Sequence, residues 1–435
     1  MTSPRRSRQW RRITVGVALF SLLLAACGSD DDDDSAGGGG GTLNISGPET
    51  GSEADGFTES FKPFTDETGV KINYSGSRDF ETQIRVALEG GELPDIAVLP
   101  QPGLLRDLAD RITPVPQSVL DAHRDQFDDY LWELATVDGT VLGVPNKGDV
   151  KSLVWYSPKV FEEKGYEIPE TWDALIALQN KMKTDGIAPW CVGIESGEAT
   201  GWPLTDWIED LMLRVNGPDV YDQWVAHEIP FDDPRVKKVV EMVGEIWFTS
   251  GNVLNGRQSI ASTGFAQAGV PITDGTCGMH RQANFYGAQF KEQNTDVKFG
   301  ADGDVDIFYL PTVSDEFGKV TLSGGTYVVA FNDNKATLDA LEFLASPEYA
   351  NARVEANKGG FLSPNKAHDT ALYAEELDRS LAEILITASP LRFDGSDLMP
   401  SDVGAGSFWR EGTNWVLGTS DVDTFLRNVE ASWPG

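Results

Sequence analysis

Short apolar runs alternate with amphipathic segments near the start of the folded chain, and this alternation constrains the fold more than any other feature. Residues 43–46, 70–74 and 95–99 have the composition of strands. The segments between them carry apolar side chains at helical spacing, for example Phe57 and Phe61, which are four residues apart. Strands that alternate with helices over so short a distance pair in parallel through right-handed crossovers, so we predict an α/β protein.

The loops at the carboxyl ends of these strands carry polar residues. Arg78 and Asp79 follow the second strand, and Gln101 follows the third. Ligands of parallel sheets bind at that edge, so we expect these three side chains to contact a ligand. The alternative for Arg78 and Asp79 is a surface ion pair worth about 0–1 kcal/mol.

The first 41 residues are predicted to be a targeting segment and a tether. Arginines precede an almost wholly apolar run, residues 13–26, that is too short to span a membrane. The run ends in Leu-Ala-Ala-Cys, which resembles the bacterial lipoprotein box, so we expect removal of residues 1–26 and lipidation of Cys27. An ordinary secretory signal is the alternative. The aspartates and glycines of residues 27–41 indicate a flexible, solvated tether.

The charge of the chain excludes several classes of partner. It has 35 Lys and Arg against 68 Asp and Glu, a formal net charge of −33. Such a surface repels phosphates, so nucleic acid and direct binding to anionic membranes are not expected. Contact with the membrane is predicted only through the lipid at Cys27.

Two further cysteines, Cys191 and Cys277, are predicted to form a disulfide in an exported protein. Closing a loop of this length contributes about 4–5 kcal/mol in the chain-entropy model. Two separately buried thiols are the alternative. The 4 histidines lack ligand spacing, and the calcium-loop-like run from Asp302 has Ile307 where the turn needs glycine and Val313 where the bidentate glutamate belongs. No metal or cofactor is therefore predicted.

Several segments, taken in order, resemble one family. They are Leu-Pro-Asp-Ile at 93–96, Gly-Val-Pro at 143–145, Leu-Val-Trp-Tyr-Ser-Pro at 153–158, Ile-Pro-Glu-Thr-Trp at 168–172 and Ser-Gly-Gly-Thr-Tyr-Val-Val at 323–329. The ordered set resembles the carbohydrate-binding receptors of bacterial ABC importers, the maltose-binding-protein-like members of extracellular solute-binding family 1.

The resemblance implies a two-lobed periplasmic-binding-protein type II fold, with a central sheet of parallel type in each lobe and a hinge. Lobe 1 would comprise residues 43–148 with about 326–366. Lobe 2 would comprise about 152–322 with 367–435, the latter segment packing partly on lobe 1. The segments at 143–158 and 323–329 would be the two interlobe crossings.

Three more segments are similar to the α-glucoside-binding group within this family. They are residues 190–197, 206–210 and 280–285. Cys191 lies within the first segment and Cys277 lies just before the last, which supports the predicted disulfide.

Sugar recognition suggests which residues of lobe 2 bind the ligand. Aromatic rings stack on the apolar faces of sugars, and charged or amide groups bond to the hydroxyls. Trp202 and Asp206 are four residues apart, so one helix face could present a ring beside an acceptor. We therefore predict that Trp202, Asp206 and Glu195 contact the bound sugar. A core Trp with a solvated Asp is the alternative.

Three further positions complete the predicted site. Arg281 follows the second cysteine and is the expected hydrogen-bond donor of its loop. Gly324 could bring backbone amides close to a ligand or serve as a hinge. Trp409 is a stacking candidate by similarity.

The resemblance implies a non-enzymatic, monomeric receptor on the outer face of a bacterial cell membrane. It would capture an α-glucoside-type di- or oligosaccharide by lobe closure and deliver it to an ABC permease. A receptor for a peptide or polyamine is the first alternative. A surface glycoside hydrolase is the second, because paired carboxylates among so many acids are compatible with hydrolysis.

Overall fold

The computed structural model describes residues 41–356, 360–387 and 390–434. The predictions for residues 1–40, including the signal peptide, lipidation at Cys27 and most of the tether, lie outside this part of the chain. Among the described residues, no helix is both long enough and apolar enough to cross a membrane.

Within the described residues, twelve strands alternate with helices. They are β1 Thr42–Gly47, β2 Lys71–Gly76, β3 Ile96–Leu99, β4 Thr136–Val137, β5 Thr140–Val141, β6 Val144–Val150, β7 Leu153–Tyr156, β8 Ala188–Trp190, β9 Cys277–Arg281, β10 Asp306–Tyr309, β11 Thr321–Ala330 and β12 Leu391–Phe393.

In the same part of the chain, nineteen α-helices surround these strands, with a π-helix, Asp402–Phe408, before the penultimate one. They are α1 Ser52–Glu59, α2 Lys62–Thr68, α3 Phe80–Gly90, α4 Pro102–Asp107, α5 Gln117–His123, α6 Asp129–Leu134, α7 Pro158–Lys164, α8 Trp172–Thr184, α9 Trp202–Val225, α10 Pro234–Phe248, α11 Arg257–Ile260, α12 Phe265–Ala268, α13 Tyr286–Gln293, α14 Lys335–Ala345, α15 Pro347–Ala356, α16 Glu376–Thr387, α17 Gly395–Leu398, α18 Trp409–Leu417 and α19 Val422–Glu430.

The sheet of lobe 1 has the order β12-β11-β3-β1-β2, and β6 also pairs with β11. Strand β1 is parallel to both β2 and β3, which confirms the crossovers predicted from the sequence. Strand β11 is antiparallel to β3 and β6. The apolar residues of β1 and β3 are buried because helices cover both faces of this sheet.

The sheet of lobe 2 has the order β10-β7-β9-β8. Only the pair β8–β9 is parallel, whereas β7 is antiparallel to β9 and β10. The expected parallel type therefore holds for one pair. Strand β7 enters this sheet from the hinge rather than through a crossover helix, so its direction is not set by the βαβ rule.

Two of the chain segments that connect the lobes run side by side. Strand β6 belongs to the first sheet and β7 to the second, and β11 passes next to the turn between them. The Lys151 amide donates a hydrogen bond to the Leu322 carbonyl oxygen at 2.8 Å, and Ser152 Oγ accepts one from the Leu322 amide at 2.9 Å. These pairs align the crossings and position Lys151 between the lobes.

A single helix through Phe57, Phe61 and Phe64 is expected from their spacing, but the structure divides it into α1 and α2. All three rings are buried, so the apolar pattern is satisfied. Pro63 occupies the first turn of α2, where its missing amide hydrogen costs no helical bond. It therefore favours a new helix start at this point.

The predicted disulfide is present. Cys191, after β8, is joined to Cys277, the first residue of β9, with the Cα atoms 5.9 Å apart. The bond closes a loop of 86 positions and holds two parallel neighbours of the lobe 2 sheet together. Trp172 packs at the edge of the lobe 2 core and Trp247 lies within it.

Candidate functional site

A cleft of about 160 Å³ lies between the lobes. Residues of the loops after β1, β2 and β3 form one wall, so the carboxyl ends of the parallel strands face it as predicted. The hinge strands form its base, and residues of α9, α12, α17 and α18 contribute to the other side. Its lining comprises Pro48, Glu49, Glu53, Arg78, Glu81, Pro100, Gln101, Lys147, Asp149, Lys151, Ser196, Ala199, Trp202, Asp206, Phe265, Phe285, Gly325, Thr326, Asp394, Ser396, Asp397 and Trp409.

A buried carboxylate organises the lobe 1 wall. Glu53, on α1, lies 3.2 Å from Arg78 Nη2 and 3.3 Å from Lys147 Nζ. Burial opposes its ionisation, but the two cations outweigh burial and lower the pKa of Glu53. Lys147 is also 3.7 Å from Asp149. Glu53 therefore fixes both cations against this wall.

Three other groups of this wall have acceptor atoms that receive no hydrogen bond from any described residue. They are both carboxylate oxygens of Glu49, Oε1 of Gln101 and Oδ1 of Asp149. The residues are only 3%, 4% and 5% exposed, respectively. A buried acceptor without a partner costs about 1–3 kcal/mol, so this wall is suited to a ligand that supplies donors.

Aromatic rings form the lobe 2 wall. The Trp202 ring centroid is 5.1 Å from that of Phe265 and 5.9 Å from that of Phe285. From the opposite lobe, the Arg78 guanidinium lies 5.3 Å from the Phe265 centroid and Lys147 Nζ lies 5.0 Å from that of Phe285. The rings and cations meet across the cleft, so the conformation is closed.

A network of buried charges forms the floor. Lys151 Nζ donates to Asp206 at 2.9 Å and to Asp394, and Arg281 donates to Asp206 at 3.2 Å. Burial raises the pKa of Asp206 to about 7 against the opposing effect of Lys151. Burial also opposes ionisation of Asp394, but Lys151 and hydrogen bonds from Glu209 and Asp206 lower its pKa. The floor thus holds Asp394 with a lowered pKa beside Asp206 with a raised one.

Oxygen atoms of Asp206, Glu209 and Asp394 lie within 4.8 Å of one another, a spacing at which they could hold a metal ion. Two features argue for a different role. Lys151 already contacts two of the three carboxylates. Glu209 accepts the backbone amides of Gly395 and Ser396, both at 3.1 Å. The cluster therefore functions as a structural ion network around an ammonium group.

Of the nine predicted ligand-binding residues, the structure brings five to the cleft: Arg78, Gln101, Trp202, Asp206 and Trp409. Trp202 and Asp206 project from the start of α9, as their spacing indicated. Trp409 begins α18, and its buried indole nitrogen donates to no described group.

The other four lie outside the lining. Asp79 is on the rim, where its carboxylate accepts the amide of Glu198 from lobe 2 at 3.2 Å. Glu195 is exposed and bonds to its own loop. Arg281 is buried beneath Asp206. Gly324 is not among the lining residues, and its neighbour Gly325 lines the cleft instead.

Sequence reasoning missed several lining residues, among them Glu49, Lys151, Phe265, Phe285 and Asp394. Glu49 lies in a strand-end loop already expected to face a ligand, so it could have been found. The other four come from the hinge, α12, the loop before α13 and the segment after β12. No spacing in the sequence places these segments beside α9.

A second cavity, of about 330 Å³, lies on the other side of the hinge strands. Its polar groups are already paired: Lys366 with Asp128 at 3.4 Å, and Arg392 with Asp222 at 2.7 Å. The interlobe cleft, although smaller, contains the unpartnered buried acceptors. It is therefore the better candidate for the functional site.

The two lobes, the hinge and the cleft between them define a two-lobed α/β binding protein. A family model described as bacterial extracellular solute-binding protein matches residues 50–351, and the chain belongs to this family.

Relatives and a solved structure agree with this assignment. The osmoprotective compounds-binding protein GgtB of Synechocystis sp. is 39% identical over 397 residues, covering 90% of this chain and 92% of GgtB. The alpha-glucosides-binding periplasmic protein AglE of Rhizobium meliloti is 38% identical over 407 residues, covering 90% of this chain and 87% of AglE. The bacterial solute receptor AcbH, with a preference for β-D-galactopyranose, has a TM-score of 0.79 at 21% identity, covering 90% and 98% of the two chains. At this identity the likeness shows the fold alone.

Proposed function

We propose that this protein is the extracytoplasmic receptor of an ABC importer for small glycosides of the α-glucoside type. The observation that carries the proposal is the cleft itself, in which aromatic rings of lobe 2 face hydrogen-bonding groups of lobe 1. A sugar has apolar faces and a rim of hydroxyls, and this arrangement complements both.

The size of the closed cleft favours a small solute. Its volume of about 160 Å³ lies below the ~300–1,000 Å³ of typical small-molecule pockets. A disaccharide or smaller glycoside suits it better than a long maltodextrin. The names of GgtB and AglE, which concern osmoprotective compounds and α-glucosides, support the same ligand class.

Capture depends on lobe closure. Trp202 and Asp206 approach Arg78 and Gln101 only when the lobes are shut, so a ligand that contacts both walls stabilises the closed state. Asp79 joins the lobes at the rim without lining the cleft. A permease that binds the closed form would then receive loaded receptors. No residue is assigned a catalytic role.

The rest of the proposal concerns location. Lipidation of Cys27 would anchor the receptor, as a monomer, to the outer face of the cell membrane through the tether of residues 27–41. Metabolic labelling with a radioactive fatty acid tests this, and a Cys27→Ser variant should lose the label. Label retained by that variant would refute the anchor.

Calorimetric titration with trehalose, maltose, sucrose and maltotriose tests the ligand class. We expect saturable binding of at least one disaccharide. Trp202→Ala and Arg78→Ala should each weaken it about tenfold or more, because each removes a group that contacts ligand in the closed state. Trp433→Ala, which removes a partly buried ring outside the cleft that stacks on His227, is a matched control. No binding of any sugar, or equal affinity in all variants, would refute the proposal.

Two other functions predict different results in the same experiment. The cleft contains more carboxylates than cations, which favours a polyamine receptor as the second candidate. Spermidine binding with no sugar binding would establish it. Release of nitrophenol from aryl glucosides would instead indicate a glycoside hydrolase.

A further inference from the structure

Carboxylates outnumber cations around the cleft. Its lining contains seven Asp and Glu side chains but only three Lys and Arg side chains: Arg78, Lys147 and Lys151. All of them surround a space of about 160 Å³, and most of these charged side chains are less than a tenth exposed. At such short range and low effective dielectric, an unbalanced charge interacts strongly with any charge on a ligand.

Each of the three cations is already engaged. Arg78 and Lys147 bind Glu53 at 3.2 and 3.3 Å, and Lys151 binds Asp206 at 2.9 Å together with Asp394. An anionic group entering the cleft would therefore have to displace a protein carboxylate from its partner. The cations here balance the protein's own acids and leave none free for a ligand.

Two of the remaining carboxylates face inward without hydrogen-bond donors. Neither oxygen of Glu49 accepts a bond from a described residue, and Arg353 Nη2 lies 3.5 Å away behind it. Asp149 Oδ1 is likewise without a donor and is 3.7 Å from Lys147 Nζ. Both side chains are buried. They can accept donors from a ligand but repel a negative group.

The protein environment already disfavours negative charge at both positions. Burial raises the pKa of Glu49, with Glu53 and Asp149 adding to the rise and Arg353 and Lys147 opposing it. Burial also raises the pKa of Asp149, against Lys147 and Lys151. A further anion placed beside them would meet the same desolvation and repulsion.

We propose that the cleft selects solutes by charge. It admits neutral or cationic polyhydroxylated solutes and excludes their carboxylate-bearing counterparts, with Glu49 and Asp149 as specificity-determining residues. This inference rests on the proposed function, since it specifies which members of the glycoside class the same cleft accepts.

A pair of isosteric ligands isolates the charge. For whichever of trehalose, maltose or sucrose binds, one terminal CH₂OH is replaced by a carboxylate or by the neutral carboxamide, and both are titrated calorimetrically. The two groups have nearly the same shape, but the carboxylate carries a charge and lacks the two N–H donors of the carboxamide. We expect the carboxamide to bind at least about 100-fold more tightly than the carboxylate, because a ligand carboxylate would be repelled by the buried acids and supplies no donor to them.

Variants assign the discrimination to residues. Glu49→Gln and Asp149→Asn should each reduce the ratio of the two affinities by about tenfold, because each removes one repelling charge. Glu92→Gln, which neutralises an exposed residue outside the cleft, should leave the ratio unchanged. Because both affinities are measured on the same variant, a general loss of affinity cancels in their ratio. Circular dichroism verifies that each variant is folded.

The outcomes separate this inference from the proposed function. Binding of the parent sugar, with carboxylate and carboxamide affinities within threefold of each other, overturns charge selection and leaves the receptor proposal intact. A large ratio that both variants leave unchanged overturns the role of Glu49 and Asp149. If no parent sugar binds, the proposed function is overturned, and this inference, which rests on it, is overturned with it.

Discussion

Replacing Lys151 with Met tests the ion network beneath the cleft. Lys151 Nζ contacts Asp206 and Asp394, and all three side chains are less than a tenth exposed. Met has a similar length but no charge, so the substitution preserves packing while removing the shared cation. Asp206 keeps Arg281 as a partner at 3.2 Å, whereas Asp394 keeps no cation within 4.0 Å among the described residues.

The expected loss follows from this difference. Removing one partner of a buried pair costs about 3–5 kcal/mol, because it leaves an uncompensated charge. Since Arg281 still balances Asp206, we expect the lower end, about 3 kcal/mol of unfolding free energy. Lys159→Met is the matched control. Its pair with Asp304 has side-chain exposures of 66% and 33%, so its loss should be about 0–1 kcal/mol.

The pH dependence gives a second readout. In the native protein the pKa of Asp394 is lower than in the unfolded chain. Ionised Asp394 therefore stabilises the native protein above the unfolded-state pKa, and this stabilisation is lost as the pH falls through the folded-state pKa. In Lys151→Met, burial without the cation should raise this pKa above the unfolded one. The ionised Asp394 carboxylate then destabilises the variant at neutral pH, and this destabilisation disappears when the carboxylate is protonated. The deficit should therefore shrink between about pH 8 and about pH 5.

Urea unfolding of the solute-free protein, followed by tryptophan fluorescence, measures both quantities. A deficit below about 1 kcal/mol at pH 8 would place the network among weak surface pairs and refute the reasoning. A large deficit that does not change with pH would show that the loss comes from packing rather than from an unpaired charge.

Three further predictions concern closure, cross-linking and recognition. Asp79→Ala removes the rim contact with the Glu198 amide, so the solute dissociation rate should rise about fivefold in stopped-flow measurements, as expected for loss of about 1 kcal/mol; an unchanged rate would contradict a role in closure. The double variant Cys191→Ala with Cys277→Ala should lower the unfolding free energy by about 2–5 kcal/mol in denaturant titration, and equal stability would contradict the closed loop as a stabilising element. Trp202→Leu should weaken sugar binding and leave the melting temperature nearly unchanged, since the ring lines the cleft. A large fall in melting temperature with unchanged affinity would identify Trp202 as a core residue instead.

The sequence predicted local structure well wherever a short-range pattern controls it. The periodicity of residues 43–99 indicated three parallel strands with connecting helices, and β1, β2 and β3 confirm this arrangement. The rule that ligands bind at the carboxyl ends of such strands predicted sites at Arg78 and Gln101, and both residues line the cleft. The same rule did not distinguish Arg78 from its neighbour Asp79, because a loop can point adjacent side chains in different directions.

The site was only partly predictable because its members come from distant segments. Trp202 and Asp206 could be paired in advance, since one helix turn separates them. Lys151 and Asp394 are 243 positions apart, and no local pattern links a hinge residue to a segment after the last strand. Only the packing of the two lobes brings them into contact.

The amino-acid sequence by itself determined the α/β class, the ordered family motifs, the two cysteines that pair and the acidity of the chain. These properties follow from composition and from spacings of a few residues, which backbone geometry converts directly into strands, helices and turns. The tertiary structure decided which polar residues face the cleft, which cations are already neutralised and which buried acceptors lack donors. Those properties depend on distances between segments remote in sequence and on exclusion of water between two lobes, and both arise only when the chain has folded.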